Sequence, residues 1–497
     1  MSGTLPPPVA PEVQPDGLPT RRGEGSSLSE QLAQHYGRAI RQQMLTPGNR
    51  LPSVREAARR HRVSPHTVVA AYDLLQAQGL VEARRQRGFF VRASDPLSRT
   101  GAASIGQRVP PLQSSEKVHP VDASALIRGM LAGTAHPQAP GLGILPEDWL
   151  DAQLLQSALR RVLAREGGRL AVGYGDPMGD LGLRQALSHR LADLGIPARS
   201  DQILCCAGAT HGLDLVGQAL LQPGDAVLVD EPGWAVEYAR LTHQGIRLLS
   251  VPRQTDGPDL ACMEALALAH RPKAYFTVSV LHNPTGACLS LGRAHQLLRL
   301  AERFDLMVVE DDSYAYLAPP HAPRLSALDG LQRSVYVSGF SKVLAPGWRV
   351  GFLASPPKLL PRLLDCKLLG HLTTPALLER ALAHCLDHGL LRRHAERLVI
   401  RLEAARSRSV RLAEQASCRF RSPPQGLFGW LDCGVDTGSL AAAMLDEGWL
   451  LAPGSLFMPD HRTSTCMRIN FATSQDRHFW DALEATRARL GGKPVHN

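Results

Sequence analysis

The chain has 497 residues, 44% of them hydrophobic, and a formal net charge of +9. That length exceeds one ordinary domain and can bury large cores, and no apolar run is long enough to span a bilayer, which excludes an α-helical membrane protein. The first residues lack the basic-then-apolar pattern of an exported precursor, and the nine Cys include no CxxC pair, so a reduced, cytoplasmic protein with no metal site is expected.

Residues 1–25 are rich in Pro, Gly and polar residues and read as disordered. Most of the excess charge lies just beyond: residues 26–93 hold eleven Arg, no Lys and four acids, which points to a polyanionic partner. Leu28, Leu32, Tyr36, Ile40 and Met44 form one apolar face of a helix, which Pro47-Gly48 breaks. Ser53 caps a short helix over Val54–Arg60, with Glu56 at the capping-box position. The turn His61-Arg62-Val63 leads to Ser64, which caps a third helix running to about Gln78. Leu80-Val81 and Gly88-Phe89-Phe90-Val91 then read as two strands around an Arg-rich tip. Helix, turn, helix and hairpin make a winged helix-turn-helix, and its capped helix ends and arginines suit a phosphate backbone.

Pro47-Gly-Asn-Arg-Leu-Pro-Ser-Val-Arg55, Val63-Ser-Pro-His-Thr-Val68, Ala71-Tyr-Asp-Leu-Leu75 and Gly88-Phe-Phe-Val91 together resemble the GntR-type DNA-binding domain. The resemblance implies that Arg55, Ser64, His66 and Thr67 face double-stranded DNA, with Arg87 and Gly88 in the wing. The chain departs from that family at Pro65, where Arg is common, so a base- or phosphate-reading side chain is missing there.

Residues 94–138 mix Pro, Ser, Gly and Gln without a period and read as a linker, with Val121–Leu131 patterned as a short helix. From residue 139 onward helices alternate with short apolar strands, the signature of a mostly parallel α/β sheet. Helices are expected at Leu150–Arg165, Gly179–Leu194, Gly212–Leu221 and Leu291–Phe304. Strands are expected at Ile203–Cys206, Ala226–Asp230, Ala274–Val278, Leu306–Glu310 and Ser334–Val337. Residues 375–417 are helical and dense in Arg and His, and His384, His388 and His394 read as a solvated face.

Chemistry-bearing residues fall at the strand ends, where open α/β sheets bind ligands. After Ser334–Val337, small residues deliver Lys342 to a position where burial would lower its proton affinity and make the amine a nucleophile. Arg349 adds a planar fork for a phosphate. Cys206-Ala-Gly-Ala-Thr-His-Gly212 turns from strand to helix and offers N–H groups at the positive helix end. Other strands end at Asp230-Glu-Pro-Gly-Trp234, His282-Asn-Pro-Thr-Gly286 and Val308-Val-Glu-Asp-Asp-Ser-Tyr314.

The string Ser341-Lys-Val-Leu-Ala-Pro-Gly-Trp-Arg-Val-Gly351 resembles the lysine motif of fold-type-I aminotransferases, which use pyridoxal 5′-phosphate (PLP), and the other motifs follow in that family's order. The resemblance implies a Schiff base on Lys342 and phosphate contacts from the backbone of Ala209 and Thr210, from Arg349, and from Tyr174 of a partner subunit. Gly339 stands where many relatives carry a phosphate-binding Ser, a role left to Ser341 or Ser338. It further implies Trp234 stacked on the pyridine ring, Asn283 and Tyr314 at its phenolic oxygen, and Asp311 or Asp312 at its nitrogen. Arg468, in Met467-Arg-Ile-Asn-Phe-Ala472, would clamp a substrate carboxylate in a small C-terminal α+β subdomain.

Both resemblances in one chain match the MocR-type regulators. They imply a homodimeric, DNA-binding transcription regulator that senses PLP, an amino compound, or both. The alternative is an active aminotransferase carrying a DNA-binding domain.

Overall fold

The computed structural model describes residues 27–41, 50–84, 88–92, 139–166, 168–344 and 346–491. They fall into two compact units that divide between residues 115 and 116. The expected disordered N-terminus, Arg87 and the 94–138 linker lie outside the described residues.

In the first unit, helix α1 spans Leu28–Arg41, α2 Val54–His61 and α3 Pro65–Ala77, followed by strands β1 (Val81–Arg84) and β2 (Gly88–Val91). The helix starts form as the sequence dictates. Ser53 Oγ accepts the Glu56 N–H at 3.3 Å and Ser64 Oγ accepts that of Thr67 at 3.1 Å, with Pro65 placed where its missing N–H costs nothing. Leu32, Tyr36, Leu51, Val68, Tyr72, Leu75, Val81 and Val91 form the core. β1 and β2 pair antiparallel, and Leu51 N–H bonds Phe89 O at 2.9 Å, which fixes the wing to the segment before α2. Arg55, Ser64 and His66 are exposed and Thr67 is half-buried. The Ser64 and Thr67 hydroxyls lie 2.8 Å apart, so both are first engaged in capping α3. Gly88 opens β2 at φ +97, with the Arg50 guanidinium against it.

The second unit is built on an eight-stranded sheet with strand order β3-β10-β9-β8-β7-β4-β5-β6. Its strands are β3 Ile203–Cys206, β4 Ala226–Glu231, β5 Arg247–Gln254, β6 Gly257–Pro258, β7 Ala274–Thr277, β8 Met307–Asp311, β9 Ser334–Gly339 and β10 Gly351–Ala354. β9, β8, β7, β4 and β5 run parallel, and β10 is antiparallel to both β3 and β9. The principal helices packed with it are α4 (Ala152–Glu166), α5 (Leu181–Asp193), α6 (Ala209–Leu220), α7 (Ala235–His243), α8 (Leu260–His270), α9 (Leu291–Arg303), α10 (Leu360–His371) and α11 (Ala376–Asp387). The 26-residue α12 (Leu390–Gln415) then leads to a four-stranded antiparallel sheet, in order β11 (Arg419–Phe420), β12 (Phe428–Asp432), β14 (Cys466–Asn470), β13 (Ala452–Pro453). Helices α13 (Thr437–Asp446) and α14 (Arg477–Arg489) pack on it around Leu431, Leu440, Met467 and Trp480.

Two expectations need correction. The helix expected from Gly212 starts three residues earlier, at Ala209, because Gly208 takes φ +84 and ends the strand-to-helix turn there. His394 is not solvated: it is buried on the apolar stripe of α12, between Leu391 and Leu398, and its Nε2 lies 2.8 Å from Val343 O.

Candidate functional site

β3, β4, β8 and β9 end together at one edge of the sheet, and β10 enters from it with Gly351 opposite both Cys206 and Gly339. Glycine is required at that crossing. A Cβ on Gly351 would lie 2.5 Å from the Gly208 carbonyl carbon and 2.7 Å from the Ala209 nitrogen. A Cβ on Gly208 would lie 2.7 Å from a terminal nitrogen of Arg349. The guanidinium therefore rests against the first turn of α6, where the His211 and Gly212 N–H groups bond Gly208 O and those of Ala209 and Thr210 have no carbonyl one turn back to bond. Arg349 also bonds Ala207 O at 3.1 Å and Ser341 Oγ at 3.4 Å. Ser338 cannot serve there, because its buried hydroxyl donates to the Asp312 carbonyl at 2.8 Å. A cation, oriented N–H groups and a hydroxyl converge on a hollow that suits a phosphate.

Lys342 follows β9, and its Nζ donates to Gly143 O at 2.6 Å. Burial lowers its pKa to about 8, with the Arg468 and Arg349 charges acting in the same direction and Asp311 opposing them. The neutral amine is thus populated near physiological pH. Capture of a small aldehyde by this amine should rise with pH and level off above about 8. Borohydride trapping and mass analysis of the Lys342 peptide would check this, and a rise continuing beyond pH 10 would contradict it.

The adjacent carboxylates Asp311 and Asp312 face opposite ways, as successive residues of an extended chain do. Asp312 is sealed in the core, where its Oδ2 accepts from Arg324 Nε at 2.6 Å and from Tyr336 OH at 2.9 Å. Asp311 lines a cavity with Trp234, Thr277 and His282, and its own partners are the N–H and hydroxyl of Ser313. Burial raises its pKa to about 7, further supported by Glu237 and Asp312 and opposed by Ser313. Geometry therefore selects Asp311 as the carboxylate available to a ligand.

Arg468, on β14, closes the other side. It donates to Asn283 Oδ1 at 3.0 Å and to Gly141 O at 2.7 Å, and it lies over the rings of Phe428 and Phe457 at 4.6 and 5.1 Å. Its buried Nε has no partner, and burial draws its pKa down to about 10. Tyr314 packs edge-on against Phe428 with ring centroids 5.6 Å apart. Lys342, Asp311, Asn283, Tyr314 and Arg468 are thus one constellation. Tyr174 is not part of it within this chain, since it is 85% exposed on a loop that Lys367 holds through Pro177 O at 2.7 Å.

Sequence reasoning missed a buried network behind the cavity. Asp230 accepts from Arg253 at 3.0 Å and Thr277 at 2.7 Å, and also from Tyr275, with His282 Nε2 at 3.5 Å. Burial alone would raise the Asp230 carboxyl, but the Arg253 charge and these donors hold it below the usual carboxylate range. Burial lowers His282 to about 4, so its imidazole is neutral and orients the turn that carries Asn283. Arg253 lies 23 residues from Asp230 and has no motif spacing that would announce it.

Among the described residues no helix is long and apolar enough to cross a membrane, and no His/Cys/Asp/Glu cluster could hold a metal. Fold and site define a winged helix-turn-helix module joined to an aminotransferase-like domain. The comparisons agree. Residues 142–485 match the model of aminotransferase class I and II, and residues 28–91 that of bacterial regulatory proteins of the gntR family. The chain is 33% identical over 463 residues to the HTH-type transcriptional regulator TauR of Rhodobacter capsulatus, covering 88% of this chain and 91% of that one. It is 30% identical over 480 residues to the uncharacterized HTH-type transcriptional regulator YdcR of Escherichia coli, covering 94% and 98%. It is 30% identical over 352 residues to 2-aminoadipate transaminase of Thermus thermophilus, covering 68% and 87%. The crystal structure of alpha-aminoadipate aminotransferase LysN from Thermus thermophilus, complexed with N-(5′-phosphopyridoxyl)-L-leucine, superposes with a TM-score of 0.67 at 26% identity, covering 73% of this chain and 96% of that one. The chain belongs to the MocR-type transcription regulators, in which a GntR-type DNA-binding domain is fused to an aminotransferase class I and II domain.

Proposed function

We propose that residues 139–497 bind PLP at Lys342 and sense a carboxylated amine beside it, and that this occupancy regulates DNA binding by residues 26–93 across the 94–138 linker. The observation that carries the reading is the buried Lys342 amine, set between Arg468, Asp311 and the glycine cradle around Arg349. The residues present fit the group. The hollow that Cβ atoms at Gly208 and Gly351 would fill suits its phosphate, with Ala209 and Thr210 N–H, Ser341 and Arg349 as donors and the partner subunit's Tyr174 completing the set in a homodimer. Trp234 would cover the ring, Asp311 would hold a proton at its nitrogen, and Asn283 and Tyr314 would orient its phenolic oxygen. When bound, PLP supplies an aldehyde and an electron-withdrawing ring. Arg468, with its unpartnered Nε, would take the carboxylate of the incoming amine. In the first unit, Arg55, Ser64, His66 and Thr67, with the wing residues Arg87 and Gly88, would contact operator DNA in the cytoplasm.

A working aminotransferase is the second reading, favoured by the presence of the whole constellation and by the likeness to a transaminase. Absorbance spectra of the full chain with PLP and a panel of amino acids separate the two. A visible band that appears with PLP and is absent in Lys342→Ala is expected. An amino acid that shifts the band without releasing 2-oxo acid supports the sensor, whereas sustained 2-oxo acid release with an acceptor supports the enzyme. No band with PLP would remove the reading.

A further inference from the structure

The two cations of the pocket are held by the backbone of one short segment. Lys342 Nζ donates to Gly143 O at 2.6 Å and an Arg468 terminal nitrogen donates to Gly141 O at 2.7 Å. The intervening carbonyls point the other way: Asn470 Nδ2 donates to Leu142 O at 2.8 Å and to Ile144 O at 2.7 Å, while Asn470 N–H bonds Pro140 O at 2.9 Å. Gly141 N–H bonds Leu450 O at 3.1 Å, and Thr473 Oγ1 donates to Ala139 O at 3.3 Å. The carbonyls of Gly141 and Gly143 thus face the pocket cations, while those of Pro140, Leu142 and Ile144 face Asn470 on β14. Glycine is demanded at 141, where a Cβ would lie 2.3 Å from the Ala452 nitrogen. At 143 a Cβ would meet only ordinary contacts, the nearest 3.5 Å away on Arg468.

We propose that residues 139–145 are a strap that reports pocket occupancy, held down by Lys342 and Arg468 in the unliganded chain and loosened when those two groups take ligands. The inference rests on the reading above and names its regulatory step. Condensation of the neutral Lys342 amine with an aldehyde expels the aldehyde oxygen as water together with both amine hydrogens, leaving an imine nitrogen whose one remaining hydrogen-bonding direction is set by the new double bond. The donor to Gly143 is lost. A carboxylate that binds Arg468 bidentately, through its free Nε and the adjacent terminal nitrogen, competes with the Gly141 carbonyl for that second donor, and a charged acceptor outcompetes a neutral one. Both pocket-side bonds then go, and the strap keeps its bonds to Asn470, Leu450 and Thr473 and the buried side chains of Ala139 and Leu142. The strap is covalently continuous with residues 93–138, so its release alters the fixed end of the connection to the winged helix-turn-helix.

Amide hydrogen exchange of the full chain, read on peptides covering 139–145 and on β9 as a folding control, tests this. Without PLP, Lys342→Met should speed exchange of the strap about tenfold, the loss of one charge-assisted bond, while Lys342→Arg, which keeps a cationic donor, should retain wild-type protection. Wild-type chain showing the PLP absorbance band should match Lys342→Met, and adding a carboxylated amine should speed exchange further. Equal strap exchange in the apo wild type and Lys342→Met overturns the inference, as does a PLP-loaded wild type whose strap stays as slow as the apo form. If PLP gives no band, the functional reading fails instead, and the apo comparison of Met and Arg variants still decides whether Lys342 holds the strap.

Discussion

Asp312→Ala is expected to lower the stability of the C-terminal unit by about 3–5 kcal/mol, the range for removing one partner of a buried ion pair. Both partners are sealed from solvent: Asp312 is 0% and Arg324 2% exposed. The substitution strands a guanidinium whose Nε–Oδ2 bond is 2.6 Å and removes the acceptor of the Tyr336 hydroxyl, at 2.9 Å, in the same step. Arg324 already has one buried nitrogen without a partner, and the loss of Asp312 leaves it with the Ala322 carbonyl as its remaining hydrogen-bond acceptor. Asp311→Asn, one residue away, should change stability by no more than about 1 kcal/mol, because its partners are confined to Ser313. It should instead weaken retention of PLP. Urea midpoints and the visible band, measured on both variants, read the two effects independently. The opposite pattern, a stable Asp312→Ala chain and an unstable Asp311→Asn chain, would reverse the assignment of the two carboxylates.

Arg468→Met is expected to weaken binding of a carboxylated amine by at least about 30-fold, the lower end of the penalty for truncating a buried charged partner. The same amine without its carboxylate should bind the variant as it binds the wild type. Methionine keeps apolar contact with Phe428 and Phe457, over whose rings the guanidinium lies at 4.6 and 5.1 Å, so the change removes the charge and its bonds to Asn283 and Gly141 while keeping the apolar packing. Titrations of the PLP band with a matched pair, an amino acid and its decarboxylated amine, supply the measurement. An equal loss for both members of the pair would mean that Arg468 shapes the pocket rather than reading the carboxylate.

The constellation was legible because its residues sit at the ends of strands whose apolar runs stand out. β3 occupies Ile203–Cys206 as expected, and the expected strand Ser334–Val337 lies within β9. β10 was not legible. Its four residues, Gly351–Ala354, begin on the last glycine of the lysine motif, and only pairing with β3 and β9 makes them a strand. The choice between Asp311 and Asp312 needed three dimensions, since Arg324 and Tyr336 come from other elements. The start of α6 was misplaced because a run of small residues looks like a turn until Gly208 is seen to cap it. His394 left a signal that went unused: it falls three residues after Leu391 and four before Leu398, on the apolar stripe of its helix. The strap could not be read from sequence at all, because its working groups are main-chain carbonyls, which every residue carries.

The bond from His394 to the Val343 carbonyl, beside Lys342, has a mechanical consequence. α12 contributes Leu391, Leu398 and Leu402 to the core around the large sheet, and Ala413, near its far end, to the core beneath β14. At 26 residues it is a rod about 39 Å long, pinned near one end to the backbone next to Lys342. A tilt of about 5° at that pin becomes a sweep of about 3 Å at the opposite tip, by the geometry of a rod of this length. Arg468 rides on the sheet at that tip. The helix therefore joins the backbone beside Lys342 to the sheet that carries Arg468 as one continuous element.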